Sequence, residues 1–290
     1  MEEYIPKINK FINSNGFNDN IIITNKTDLN IKQLNILLSK NHKNSVIYYS
    51  NDNIFDLDKS KEKRPEPIFK FDNEKNIGYI KFFHFIWSND IFTKRTLLNF
   101  KNLIENKLKI WEQKNYNKLI IDLTEQTGDS YINIIESLSY LLGDITLFSF
   151  INKNYKQSRN NITEPIWINL KDDKINDYPQ VFKSSKFKFN GKIAVLISNK
   201  TSDSGEFMTV LFKNRDNVLI IGSNTNGNLV KNNIFLLDNI DNKNLYLSLT
   251  TKIIMDFKSN IYNTKFIQPD IKTNSFKDSM KKAYTYLLSI

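Results

Sequence analysis

The chain of 290 residues contains no cysteine and only two histidines, His42 and His84. The first absence excludes disulfide bonds and thiolate metal sites, and the second excludes a histidine-rich metal centre. No apolar run reaches the roughly 18 residues that cross a membrane. The first residues also lack a basic stretch followed by an apolar one, so no secretory signal is predicted. The expectation is a cytoplasmic protein without a cofactor or a membrane span.

Arginine is scarce as well, although the net charge is +10. Only four of the 41 basic residues are arginines, and asparagine is unusually common. Arginine is the side chain that makes bidentate contacts with phosphates and guanines. The positive charge therefore indicates a general preference for lysine and asparagine, and nucleic acid is not expected as a partner.

An alternation of strands and helices begins near residue 76. Apolar runs predict strands at 77–83, 119–123, 192–197 and 218–221, with helices at 89–114, 131–142 and 206–214. Two more strands flank a polar turn at 238–244, and a last helix covers 276–288. Repeated units of this kind predict an α/β fold, in which helices cover both faces of a parallel sheet.

The N-terminal part has a different pattern. Residues 2–14 and 31–40 have the apolar spacing of short amphipathic helices, and the charged, proline-containing stretch from Ser50 to Pro67 is typical of a linker. Two regions are therefore predicted: a helical N-terminal region with a linker over 1–70, and an α/β core domain over 71–290.

Glycine is also scarce, and half of the eight glycines follow predicted strands: Gly128, Gly205, Gly222 and Gly227. Ligand sites of parallel sheets lie beyond the carboxyl ends of the strands. The segment 201–206, Thr-Ser-Asp-Ser-Gly-Glu, lies between a buried strand and a helix. Such a turn holds the nucleophile of other hydrolases, but a serine followed by a glutamate is also common helix-capping chemistry. Both interpretations are open on spacing alone.

Seven short motifs follow one another in a fixed order between residues 76 and 272. They are similar to I-I-D-L-R-x-N-x-G-G (119–129), L-L-G-D (141–144), V-L-I-x-x-x-T-A-S-S-G-E (195–206), F-K-G-R-x-N (212–217), G-E-x-T-x-G (221–227), L-x-L-T (245–250) and I-x-P-D-I (267–271). Together they resemble the peptidase family of the tail-specific proteases, the tricorn core and the interphotoreceptor retinoid-binding protein. The resemblance implies a serine peptidase with a ClpP/crotonase-like core of stacked strands and helices. The family's PDZ module has no room between residues 45 and 76.

The resemblance also implies roles for individual residues. Ser204 would attack the substrate carbonyl, and His42, or alternatively His84, would be the general base. Backbone N–H groups of Gly128 and Gly205 would hold the oxyanion.

Other positions are expected to support the site: Glu206, Gln268 and Asn228. Asn228 stands where members with a Ser–Lys pair carry the lysine, which suggests the tricorn-type branch. Aligned without a gap, the family's attacking serine falls on Asp203, which joins the candidate catalytic residues. Two hypotheses follow: a serine endopeptidase acting on a peptide or protein, or an inactive relative that binds a peptide or an apolar ligand in the same cleft.

Overall fold

The computed structural model describes residues 2–14, 31–41, 45–50, 67–83, 91–114, 116–127, 138, 141, 148–152, 189–213, 215–240, 243–256, 260–262 and 266–289. Within these ranges the helices are α1 (Ile5–Ser14), α2 (Ile31–Asn41), α3 (Ile91–Gln113), α4 (Ser204–Lys213) and α5 (Phe276–Leu288). The strands are β1 (Val46–Ser50), β2 (Ile68–Asp72), β3 (Ile77–Phe83), β4 (Lys118–Glu125), β5 (Phe148–Asn152), β6 (Lys192–Ile197), β7 (Val218–Gly222), β8 (Val230–Ile240), β9 (Lys243–Asp256), β10 (Ile261–Tyr262) and β11 (Ile271–Lys272). None of the helices in these ranges is both long and apolar enough to cross a membrane.

The core is a six-stranded sheet in the order β11-β7-β6-β4-β3-β2. Every neighbouring pair from β11 to β3 is parallel, and β2 pairs with β3 in the antiparallel sense. The central strands β4 and β6 are buried along nearly their whole length. Their continuous apolar runs are typical of strands covered on both faces. The carboxyl ends of five parallel strands consequently meet at one edge of this sheet.

Helices cover both faces of the core sheet. Along β4, Ile121 packs in the cluster that contains Phe207 of α4, whereas Ile120 packs in the cluster that contains Leu287 of α5. Successive side chains of a strand point to opposite faces, so α4 and α5 lie on opposite sides of the sheet. The chain has only two alanines, and both of them, in β6 and in α5, belong to the second cluster. Their short side chains let the last helix approach the sheet closely.

A second, antiparallel sheet is organised around the long strand β9, which pairs with β1, β5, β8 and β10. The two N-terminal helices pack on this sheet: Ile8 and Leu34 are fully buried in one cluster with Leu245 and Leu247 of β9. The tyrosine hydroxyl of Tyr4 also donates to Asp238 of β8. The N-terminal region is thereby joined to the rest of the fold by strand pairing as well as by helix packing.

The expected α/β architecture is confirmed. The strands predicted from apolar runs, the two N-terminal helices and the C-terminal helix all occur where expected, within a few residues. The helix predicted at 131–142 lies almost wholly outside the described residues. Residues 1–70 also contain β1 and most of β2, which the sequence patterns do not predict. The expected boundary at residue 70 falls inside β2, which pairs with β3.

Candidate functional site at the strand-to-helix turn

The turn between β6 and α4 lies at the carboxyl edge of the core sheet. It is tied to the end of β4 by hydrogen bonds: the Thr201 hydroxyl donates to the carbonyl of Leu123 at 2.8 Å, and the Ser202 N–H donates to the carbonyl of Gln126 at 3.0 Å. The Thr201 hydroxyl oxygen also accepts from the N–H of Ser198 at 2.9 Å. These bonds satisfy backbone groups that would otherwise be buried without partners. The turn is therefore held rigidly against the neighbouring strand.

Asp203 is the residue at the apex of this turn. Its φ of 48° lies in the left-handed region, which among non-glycine residues is tolerated best by aspartate and asparagine. Its carbonyl accepts the N–H of Phe207 in the first turn of α4 at 3.0 Å. Its side chain is partly exposed, unlike those on either side of it. The apex of a sharp strand-to-helix turn is the position in which α/β hydrolases hold a nucleophile.

Ser204, the first residue of α4, is fully buried. The side-chain amide of Gln126, itself fully buried, donates to the Ser204 hydroxyl oxygen at 3.0 Å. The next residue is necessarily glycine, because a Cβ on Gly205 would lie 2.6 Å from the carbonyl oxygen of Gln126. The Gly205 N–H, expected in an oxyanion hole, donates to the carbonyl of Ser202 at 2.9 Å. The hydroxyl of Ser204 thus faces the end of β4 rather than solvent.

Glu206 connects α4 to the loop that follows β7. Its carboxylate, which is fully buried, accepts the N–H of Gly227 at 2.8 Å, the N–H of Asn228 at 2.7 Å and the hydroxyl of Thr225. It also accepts the N–H of Asp203 at 3.2 Å. Burial raises the pKa of Glu206, and the four donors act in the opposite direction by stabilising the carboxylate. Glu206 is therefore a structural clamp between two loops.

The clamp brings together two positions to which the family resemblance assigns catalysis. The N–H groups of Asp203 and Asn228 donate to the same oxygen, Oε2 of Glu206. The resemblance assigns these two positions to the attacking serine and to the lysine of Ser–Lys members, and that assignment stays a prediction.

For Gln268 the described structure shows a backbone contact: its carbonyl accepts from Lys213 at 3.0 Å, at the last residue of α4. Its neighbour Ile267 donates its N–H to the hydroxyl oxygen of Thr225 at 2.8 Å. His42, His84 and Gly128 lie outside the described residues. Conversely, Gln126 and Thr225 contact the site directly and were assigned no role from the sequence. Both stand inside the matched motifs, two residues before a glycine, and that position is the signal that could have identified them.

Comparisons with known proteins identify the family and the fold. A family model described as Peptidase family S41 matches residues 76–273. The nisin-resistance protein of Lactococcus lactis subsp. lactis is 33% identical over 184 residues, which is 62% of this chain and 53% of that protein. The chain therefore matches about half the length of this curated relative.

Two solved structures share the fold over most of the chain. A lipoprotein from Streptococcus agalactiae has a TM-score of 0.65 at 23% identity, covering 91% of this chain and 83% of that one. A proposed peptidase from Parabacteroides merdae has a TM-score of 0.59 at 15% identity, covering 99% of this chain and 89% of the other. At these identities the likeness shows the fold alone.

The clamp makes a prediction about stability. Replacing Glu206 by Gln should lower the free energy of unfolding by roughly 3 kcal/mol, because one buried acceptor becomes a donor that faces backbone N–H groups. Chemical denaturation followed by circular dichroism measures the change. Glu74→Gln, the same substitution at an exposed turn position, is the control and should be nearly neutral. Equal stability of Glu206→Gln and wild type would show that the clamp does not exist.

Proposed function

The chain belongs to peptidase family S41, and on that basis we propose that it binds a peptide in the family's cleft without cutting it by serine chemistry. The observation that carries the proposal is that an aspartate, rather than a serine, stands at the apex of the turn. Asp203 occupies the apex at a φ of 48°, whereas the hydroxyl of Ser204 is fully buried and accepts a hydrogen bond from Gln126. A carboxylate at the apex cannot form the acyl-enzyme that a serine forms.

The residue at position 228 supports the same proposal of binding without cleavage. Members with a Ser–Lys pair use the lysine amine as the general base, and the amide of Asn228 cannot accept a proton at neutral pH. Both substitutions leave the scaffold intact, because Glu206 accepts N–H groups of the backbone at residues 203 and 228 and needs no particular side chain there. The cleft can thus lose catalysis and keep its shape.

A peptide or protein remains the proposed ligand class, in preference to nucleic acid. Arg215, one of only four arginines, is buried and donates to the carbonyls of Leu141 and Phe189, so it is not available to contact phosphates. The Lactococcus relative is named for resistance to nisin, which is a peptide. Residence in the cytoplasm stays a prediction from the sequence.

A second candidate function is hydrolysis by Ser204, with His42 or His84 as the base and Gly128 in the oxyanion hole. It is favoured by membership of a peptidase family and by the position of the hydroxyl at the start of α4, where an amide already donates to it. It requires the turn to move so that Ser204 reaches the cleft. The two candidate functions differ in one result: hydrolysis by Ser204 predicts that an active-serine probe labels the wild type, and binding without cleavage predicts that it does not.

The first experiment is labelling with an alkyl fluorophosphonate, read by intact mass. Wild type and Ser204→Ala should both stay unlabelled, because no hydroxyl lies at the apex. The double variant Asp203→Ser/Asn228→Lys should become labelled, since the new serine and lysine start from backbone positions that share one oxygen of Glu206.

Two outcomes would count against this account. Labelling of the wild type that disappears in Ser204→Ala would establish the second candidate instead. A folded double variant that stays unlabelled would contradict the assignment of residue 203 to the nucleophile position. Adding Ser204→Ala to the double variant is the matched control, and it should leave the labelling in place.

Binding is tested separately by calorimetry, with nisin and a pool of unrelated peptides as probes. Asp203→Asn should weaken peptide binding by about 3- to 10-fold, because a carboxylate makes stronger hydrogen bonds to N–H donors than a neutral amide oxygen does. The control is Asp216→Asn, an exposed position beyond the far end of α4, which should leave the affinity unchanged. Absence of binding for every probe would contradict the proposed function.

A further inference from the structure

A cavity of about 550 Å³ opens at the carboxyl edge of the core sheet, on the side covered by α5. Its walls come from the ends of β3, β4, β6 and β11, from the turn after β6 and from the start of α5. Asp203, Ser204 and Glu206 do not line it. The volume is in the range of small-molecule sites, and the carboxyl edge is where parallel sheets bind ligands. The cavity therefore shares residues 198–200 with the turn after β6, but not the apex at Asp203 or the start of α4.

The charged side chains of the cavity are mostly cationic. Lys81, Lys200 and Lys272 line it together with a single carboxylate, that of Glu125. Glu125 is already paired with Lys81, at 3.1 Å between Oε2 and Nζ. Among the described residues no carboxylate lies within ion-pair distance of Lys200 or Lys272. The described residues therefore supply no counterion for these two lysines.

The start of α5 adds backbone donors to the same wall. Ser275 caps the helix, and its hydroxyl oxygen accepts the N–H of Asp278 at 3.2 Å. Ser275 and Phe276 both line the cavity, whereas Asp278 does not. The first N–H groups of a helix have no acceptor inside the helix, and the helix dipole favours an anion at this end. α5 is 13 residues long, so its dipole is fully developed.

The remaining lining is largely polar and uncharged. More than half of the lining residues are serine, threonine or asparagine. Several of their hydroxyls already donate within the protein: Thr124 to Asp122, Ser198 to the carbonyl of Thr124, and Ser279 to the carbonyl of Ser275. A carboxylate has two oxygens and one charge, whereas a phosphate group offers three or more oxygens and up to two charges. Two lysines and the start of a helix match the second type of group better.

We infer that this cavity binds a phosphorylated small molecule, whose phosphate oxygens are held by Lys200, Lys272 and the first backbone N–H groups of α5. The apolar contacts for the remainder of such a ligand come from Ile197 and Phe276. The inference does not depend on whether the turn at Asp203 is catalytic, because the two sets of lining residues are different.

The test is calorimetric titration of the whole chain with inorganic pyrophosphate at constant ionic strength. Wild type should bind, and the double variant Lys200→Gln/Lys272→Gln should bind at least about 10-fold more weakly, because two charge-assisted contacts are lost. Both lysines are exposed, so the variant is expected to fold. The control is Lys10→Gln/Lys243→Gln, which removes the same charge at exposed positions in α1 and β9 and should leave the affinity unchanged.

Three results would overturn the inference. They are the absence of pyrophosphate binding to wild type, an equal loss of affinity in both double variants, and citrate binding as tightly as pyrophosphate. An equal loss in both double variants would mean that the affinity depends only on net charge. Equally tight binding of citrate would exclude selectivity for phosphate. None of them bears on labelling or peptide binding at Asp203, so failure here and failure of the proposed function are distinguishable.

Discussion

The buried carboxylate of Glu206 is the constraint on which the site depends. One side chain accepts hydrogen bonds from the backbone of Asp203, Gly227 and Asn228 and from the hydroxyl of Thr225. A buried charge is tolerated only when its oxygens are fully hydrogen-bonded, and here the donors come from two successive loops of the chain. The turn after β6 and the loop after β7 are consequently fixed relative to each other, whatever side chains stand at residues 203 and 228.

In the proposed function, a member of peptidase family S41 keeps the fold while the side chains at the turn differ from those of a serine peptidase. The interactions that shape the turn are made by backbone groups, by Thr201 and by the glycine at 205, whose missing Cβ admits the carbonyl of Gln126. None of them requires a serine at the apex. The proposal is that a carboxylate there, with an amide at 228, provides neither an attacking hydroxyl nor a lysine base.

Much of the fold follows from the sequence because β4 and β6 are continuous apolar runs, which are typical of strands buried on both faces. β1 was not predicted, because it is short and its partner in β9 is about 200 residues away, with Val46 opposite Ser248. The site, too, depends on contacts between residues that are not neighbours in the sequence. Motif order identifies the turn, but a shift of one residue at a helix start rotates a side chain by about 100°. The choice between Asp203 and Ser204 depends on contacts with Gln126 and Glu206 that no local pattern contains.

The central claim is that residue 203 faces the cleft and residue 204 faces the interior. Because the chain has no cysteine, each position can carry its only thiol. The measurement is the rate at which Asp203→Cys and Ser204→Cys react with an aromatic disulfide reagent in the native state, scaled to the rates in denaturant. The account predicts that the thiol at 203 reacts roughly 100-fold faster, since buried thiols are inert. A thiol at 204 that reacts as fast as the one at 203, in a folded variant, would contradict it.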